Sequence, residues 1–312
     1  MTVSDTLLER FPVRKSAKQK EEFRTWLCDT LREAGYDPRI KYTKGYGNSN
    51  NVVVGDLVHS KVILTAHYDT CAVLPFPNFV TPCSLLFTVL YVLVLAIALL
   101  AVLALVELVL LPKLGVPNSV RLISAYVILA GIILLCIEGK ANKSNVNDNS
   151  SGVITLLETA LSLPEEERGK VLFIFFDNEE KGMLGSSAFI DKYRPVLDPN
   201  ALTINFDCVG DGDHILLFPV WRVLKREEAL RKVEEIYSAD AGEKEVRMVK
   251  KGFRFYPSDQ MKFTRGIGVA ALHYKKSVGY YLGRIHTKRD TVLDRSNIDL
   301  LREANLRYIS SL

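Results

Sequence analysis

The feature that constrains this chain most is an apolar run that ends in acid. Gly169 to Asp177 is dominated by aromatic and β-branched residues, and Phe173-Ile174-Phe175-Phe176 leads directly into Asp177-Asn178-Glu179-Glu180. A continuous apolar run of this length reads as a buried strand. Lys181-Gly182-Met183-Leu184-Gly185-Ser186 then reads as a turn into a helix. Two adjacent glutamates at the C-terminal end of a buried strand are costly unless positive charge meets them. In an open α/β sheet that edge is also where ligands bind. A metal ion is the simplest compensating charge, with one glutamate as ligand and the other as base. A solvated acidic turn is the competing explanation for the pair taken alone.

The chain has 312 residues, 48% of them hydrophobic, which suffices for one large α/β domain with or without an accessory element. A net charge of +4, with no basic run interleaved with aromatics, gives no support for nucleic acid as a partner. Cys28, Cys71, Cys83, Cys136 and Cys208 are odd in number, scattered and free of CxxC spacing. Neither a disulfide framework nor a thiolate zinc site is therefore expected. Met1 to Glu22 is polar and holds no signal-peptide core. A reducing, cytoplasmic setting is expected for the polar part of the chain.

Composition changes abruptly at Leu85. From there to Leu111 almost every residue is apolar, with Thr88 and Glu107 the exceptions, long enough to cross a bilayer core of ~30 Å. Pro112 to Ser119 forms a turn, and a second apolar stretch runs from Val120 to Ile137, with Arg121 near its start and Ser124 inside. This second stretch is at the lower limit for a span. The pair is expected to form a transmembrane helical hairpin (residues 79–139) inserted into a domain made of residues 1–78 and 140–312. Its lipid contact would run over residues 85–137. Buried core helices are the alternative, disfavoured because a soluble helix rarely stays apolar on every side for so long.

Elsewhere the pattern is that of alternating strands and helices. Phe23, Trp26, Leu27 and Leu31 recur at helical spacing between Lys18 and Ala34, and Gly35 follows. Asn51 to Gly55 is a short strand and turn. Lys61 to Ala66 is a strand that ends in His67-Tyr68-Asp69-Thr70. Alternation puts His67 and Asp69 on one side, and a carboxylate there can hold the second ring nitrogen of a metal-binding imidazole. The polar loop Ala141–Gly152 precedes helical periodicity from Val153 to Leu163. Asp148 in that loop is either a helix cap or a carboxylate able to bridge two cations. A helix is expected over Met183–Tyr193. Ala201–Phe206 is a strand ending in Asp207, and Ile215–Phe218 continues the sheet. Helical charge alternation runs from Trp221 to Ile236, and Gln260 to Phe263 opens a short helix. Gly268–Tyr274 is a further strand, His286 lies in a polar loop, and a helix closes the chain over Ser296–Ile309. The fold class is α/β, a mixed but mostly parallel central sheet flanked by helices.

Two histidines, three carboxylates and a spare glutamate form the inventory of a two-zinc hydrolase, in which a carboxylate bridges the ions. The motifs His67-Tyr68-Asp69, Asn147-Asp148-Asn149-Ser150-Ser151-Gly152, Glu179-Glu180 with Gly182 and Gly185-Ser186, Phe206-Asp207, Ser258-Asp259 and His286-Thr287 with Asp290-Thr291 occur in family order. Over residues 18–75 and 140–312 the chain resembles the co-catalytic zinc aminopeptidases, a family that takes in aminopeptidase Y, bacterial leucyl aminopeptidases and the related glutaminyl cyclases. The resemblance implies that His67 and Asp207 hold one zinc ion, that Glu180 and His286 hold a second, and that Asp148 bridges them. It implies Glu179 as general base, Asp69 as the residue orienting His67, and a peptide as substrate.

The chain departs from the family where Ser258-Asp259-Gln260 replaces the common Ser-Asp-His, and Tyr256 is offset by one from the tyrosine that would donate to an oxyanion. His59, His214 and His273 are expected to be structural or exposed; Asp177, Asp211 and Asp213 are expected to be turn residues, with acids supporting the ligands from behind as the alternative. Glutaminyl cyclisation, which in this family uses one zinc, another amide hydrolysis, and an inactive membrane scaffold are the alternative functions. Both ends of a hairpin lie on one side of a membrane, so the catalytic site is expected on the cytoplasmic face, close to the bilayer.

Overall fold

A computed structural model of the chain describes residues 2–43 and 48–312. Nine strands form one sheet: β1 (Arg39–Thr43), β2 (Ser49–Val54), β3 (Val62–His67), β4 (Val171–Phe176), β5 (Leu202–Phe206), β6 (His214–Pro219), β7 (Glu245–Met248), β8 (Gly266–Lys275) and β9 (Gly279–Tyr281). Their order is β1-β2-β4-β3-β5-β8-β6-β7, with β9 paired to β8. The strands β4, β3, β5 and β8 are parallel to their neighbours in that run. β1, β2 and β6 add antiparallel pairings at the flanks. The helices are α1 (Val3–Arg10), α2 (Ala17–Glu33), α3 (Leu85–Leu105), α4 (Leu111–Lys113), α5 (Asn118–Glu138), α6 (Gly152–Ser162), α7 (Leu184–Tyr193), α8 (Glu227–Ser238) and α9 (Arg295–Ser310).

The apolar run expected as the central strand is β4, buried at all six positions. Successive side chains alternate between faces. Phe173 and Phe175 pack with Phe23, Leu27, Leu157 and Leu301 from α2, α6 and α9. Leu172, Ile174 and Phe176 pack with Phe189 and Ile190 of α7 on the other face. Several elements escaped the sequence pattern, among them β7 and β9 as well as α1 and β1. α1 is held by a capping box of Thr2 and Asp5 rather than by an apolar stripe. β1 is a polar edge strand, mostly exposed, so it lacks the apolar signal. α8 starts at Glu227, later than the expected Trp221, because a short 3₁₀ turn at Val223–Lys225 intervenes.

The apolar stretch between β3 and β4 is helical. A π-helical turn at Val106–Leu110 joins α3 to α4, giving a continuous 29-residue helix from Leu85 to Lys113. At ~1.5 Å per residue it exceeds the ~30 Å of a bilayer core. No side chain of α3 is buried. By length and composition it is long and apolar enough to cross a membrane. The apolar part of its partner, Ile123–Glu138, is shorter, so of the two spans expected from the sequence one reaches spanning length on this criterion. At the tip, Arg121 donates to the Glu107 carbonyl at 2.9 Å and Ser124 to the Glu107 carboxylate at 2.6 Å. At the base, Lys15 Nζ donates to the Ile137 carbonyl at 2.6 Å, and Lys181 pairs with Glu138.

Candidate metal centre

Because β4, β3, β5 and β8 run parallel, their C-terminal ends share one edge of the sheet. β3 is the switch point, with β4 on one side and β5 on the other. That is where a doubly wound sheet opens a crevice. His67 ends β3, Glu179 and Glu180 follow β4, and Asp207 follows β5. Asp148 reaches the crevice from the turn before α6, and His286 from the loop after β9.

Asp148 lies between the two histidines. Its Oδ1 is 3.4 Å from Nε2 of His67 and its Oδ2 is 3.0 Å from Nε2 of His286. His67 Nε2 is also 3.6 Å from Asp207 Oδ1, and His286 Nε2 is 3.5 Å from Glu180 Oε2. Donor atoms of His67, Asp148 and Asp207 lie within 4.8 Å of one another, as do those of His67, Glu179 and Glu180, and of Cys71, Glu180 and His286. All seven residues singled out from the sequence thus meet in one place, including Asp69, whose Oδ1 is 3.5 Å from Nδ1 of His67.

The residues fit a metal ion. Both ring nitrogens of His67 and Oε1 of Glu180 are buried without a hydrogen-bond partner, which a native protein rarely tolerates. Two ligand atoms ~2.0–2.2 Å from one tetrahedral zinc ion lie ~3.3–3.6 Å apart. The spacings of His67 to Asp148 and Asp207, and of His286 to Glu180, fall in or close to that range. The donors are imidazole and carboxylate, which suit zinc. Cys71 adjoins Glu180 and His286, and burial pushes its thiol well above the usual range.

Protons stand in for cations when the centre is empty of metal. Burial opposes charge on His67, but Asp148, Asp207 and Asp69 outweigh it and hold the imidazolium well above its ordinary range. Burial likewise opposes His286, and Glu180 with Asp148 raises it to about 9. Burial pushes Glu180 up to about 8 despite His286, and pushes Glu179 well above the carboxylate range, aided by Asp259 and Glu180. Asp148 is held low, where the two histidines overcome its burial, and Asp69 is lowered in the same way, its burial outweighed by His67.

Asp69 and several residues that the sequence left unassigned brace the ligands. Asp69 accepts the backbone N–H of Glu179 at 3.0 Å and of Glu180 at 3.2 Å, so it fixes the glutamate turn as well as flanking His67. Asp290 accepts the N–H groups of Asn147 at 2.7 Å and Asp148 at 3.0 Å. The cap of α6 is Asn149, whose Oδ1 accepts from Gly152 at 3.0 Å; Asp148 is free to face the histidines. The Asp148–Asn149 peptide is cis. Arg14, fully buried, donates to the Tyr68 carbonyl and to Ser150 Oγ at 3.1 Å, tying two ligand segments together.

Tyr256 donates to the Asp207 carbonyl at 3.0 Å and stacks on Phe218. Gln260, where the resemblance leads one to expect histidine, is buried, donates to the Tyr256 carbonyl at 2.6 Å and accepts from Asn205 at 3.1 Å. It supports this wall of the site. Asp259 is buried with both carboxylate oxygens unpartnered; burial raises it to about 7 against the pull of His67. The remaining candidates point elsewhere. Asp177 is not a turn residue in solvent but is buried against Lys20 at 2.6 Å. Asp211 pairs with His273 at 3.0 Å and Arg284 at 3.1 Å. Asp213 pairs with Lys244, His214 with Glu245 and His59 with Asp56.

An α/β sheet with acids and histidines gathered at its switch point is the architecture of zinc exopeptidases. The fold is shared with a Zn-dependent exopeptidase from Parabacteroides distasonis ATCC 8503 (TM-score 0.61, 16% identity, 98% of this chain and 97% of that one). It is shared with a leucine aminopeptidase precursor from Bacteroides thetaiotaomicron VPI-5482 (TM-score 0.63, 15% identity, 99% and 94%). It is also shared with a Porphyromonas gingivalis glutaminyl cyclase (TM-score 0.62, 16% identity, 99% and 96%). At these identities the likeness is one of fold. The sequence profile of peptidase family M28 matches residues 138–309, more than half of the chain, and the chain belongs to that family. No curated protein matches the sequence.

Proposed function

We propose that this member of family M28 is a membrane-anchored aminopeptidase that uses two zinc ions. The observation that carries the reading is Asp148, one carboxylate oxygen turned to His67 and the other to His286. His67 and Asp207 would hold one ion, His286 and Glu180 the other, and Asp148 both. Bound zinc would polarise the peptide carbonyl and make water acidic enough to serve as nucleophile near neutral pH. Glu179, beside the ligands and already inclined to carry a proton, is the general base and then the acid that protonates the departing amine. Asp69 keeps Glu179 and Glu180 in register through their backbone N–H groups.

The anchor is the hairpin of α3 and α5. Its support is topological as well as compositional. β3 precedes the insert, β4 follows it, and the two are hydrogen-bonded neighbours. A helix leaving β3 across a bilayer must therefore return before β4. α5, at 21 residues, is ~31 Å long and can make that return. This reading treats residues 79–139 as an insert in a domain of residues 1–78 and 140–312, and the catalytic part faces the cytoplasm.

The test is a panel of peptides offered to the detergent-purified, zinc-loaded chain: N-terminally free, N-acetylated, and beginning with glutamine. Release of the first residue from free N-termini alone is the expected result. Cyclisation of the glutamine peptides without release would replace the reading by glutaminyl cyclase chemistry, and no turnover at all would leave an inactive scaffold.

A further inference from the structure

The insert is tied to the metal centre at its base. Val73 N donates to the Lys140 carbonyl at 2.9 Å. Leu74 N donates to the carbonyl of His286 itself at 3.1 Å. Asn78 Nδ2 reaches the Ile285 carbonyl at 3.2 Å, and Val80 and Leu282 exchange two backbone bonds of 2.9 Å. The segment that leads into α3 is thus strapped along the loop carrying His286.

That segment also helps enclose the cavity over the centre. A cavity of about 380 Å³, within the small-ligand range of ~300–1,000 Å³, is lined by Asp148, Glu179, Glu180, Asp207 and His286. Leu74, Asn78 and Val80 of the strap line it too, together with Cys136 from the last turn of α5 and Ile285. Apart from the residues of the centre, every side chain lining the cavity is uncharged. A charged substrate side chain turned to that uncharged wall would lose water and gain no charged partner, which is costly. An apolar one would find Leu74, Val80 and Ile285.

We propose that the hairpin base is a wall of the substrate cavity, and that the enzyme selects peptides whose first side chain is apolar. This inference rests on the aminopeptidase reading. It makes Cys136, Leu74 and Val80 specificity residues, and it gives the hairpin a part in substrate choice beyond anchoring.

The experiment compares kcat/KM for leucyl, phenylalanyl, lysyl and aspartyl peptides in the full chain and in Cys136→Glu, with Leu74→Gln as a second variant. Wild type should favour leucyl over lysyl peptides by about 10–200-fold, the usual reach of an apolar pocket. Cys136→Glu should cut that ratio at least about tenfold, by admitting the lysyl ammonium. A ratio unmoved in both variants overturns the proposal. An activity-independent readout separates it from failure of the aminopeptidase reading. Cys28, Cys71 and Cys208 are buried, so in a Cys83→Ser chain Cys136 is the accessible thiol. Leucine amide should slow its alkylation by a maleimide, and lysine amide at equal concentration should not. Equal rates with both amides would overturn the wall even if peptides of other kinds are hydrolysed; slowing by leucine amide alone would support it even if no peptide of the panel is turned over.

Discussion

At the scale of single residues, the centre works by placing carboxylates where burial alone would neutralise them. Glu179 is the test case. It is raised well above the carboxylate range by burial, against the pull of His67. Glu179→Gln should lower kcat by ~10²–10⁴-fold, the usual worth of a general base, with metal content and KM little changed. Steady-state kinetics beside metal analysis of the purified variant would show it; near-normal kcat would remove Glu179 from the mechanism. The pH dependence of the metal-stripped chain follows from the same charges. His286 is raised to about 9 by Glu180 and Asp148 in spite of burial, so the stability it contributes is full below about 6.5 and is lost as pH climbs to about 9. Glu180 is raised to about 8 by burial, so its ionisation destabilises the folded chain between about 4.5 and 8. Both have one sign: Tm of the stripped chain should fall as pH rises from about 6 to about 9. Zinc should reverse the slope, because it displaces those protons. Calorimetric scans across that window with and without zinc decide it, and a Tm of the stripped chain that rises with pH would contradict the assignment. Most of the candidate ligands were legible in the sequence because they end an apolar run or open a helix; His286, in a polar loop, was assigned a role only through the resemblance. Arg14, Asp290 and Asn149 were not, since each acts through backbone groups more than fifty residues away in the chain or through a cap, and no local pattern marks such contacts.

At the scale of elements, two glycines show how closely the sheet edge is packed around the site. A Cβ on Gly185 would lie 2.0 Å from the Asp177 carbonyl oxygen, and one on Gly152 would lie 2.3 Å from that of Phe206. Both helices therefore start against the ends of strands that deliver ligands. Gly185→Ala should destabilise the fold by ~1–3 kcal/mol, measured by chemical denaturation; an unchanged midpoint would mean that α7 is free to move away. Strand and helix identities were readable from periodicity, and the parallel order could be expected from their alternation. β1 and α1 were not, because one is a polar edge and the other is defined by its cap. The long apolar helix from Leu85 to Lys113 was legible as apolar sequence, whereas the contacts of the segment before it with the His286 loop were not, since they are mostly backbone bonds. Deleting residues 81–137 and closing the gap with a short linker should release the protein from membranes on sedimentation and lower turnover of apolar peptides about tenfold, through loss of the cavity wall. Undiminished turnover of such peptides in cells would remove any role for the insert beyond attachment.

At the scale of the whole molecule, one topological fact organises the rest. The first and second halves of the chain interleave in a single sheet, β3 between β4 and β5, so every candidate ligand meets at the one switch point. The chain that follows β3 therefore leaves from the edge of the sheet where the site lies. The fold could be read from the sequence because the central strands are largely apolar and their ends are not, whereas the ligand set is what the resemblance implies. The polar bracing of Asp69, Asp290 and Gln260 emerges only when the halves are brought together. The central claim is that Asp148 joins two metal positions. Its most direct test is the zinc content of the purified chain, by elemental analysis against amino-acid content, in wild type and Asp148→Asn. Two ions per wild-type chain, with loss of metal in the variant, is the predicted result. A single tightly held ion, unaffected by Asp148→Asn, would contradict it.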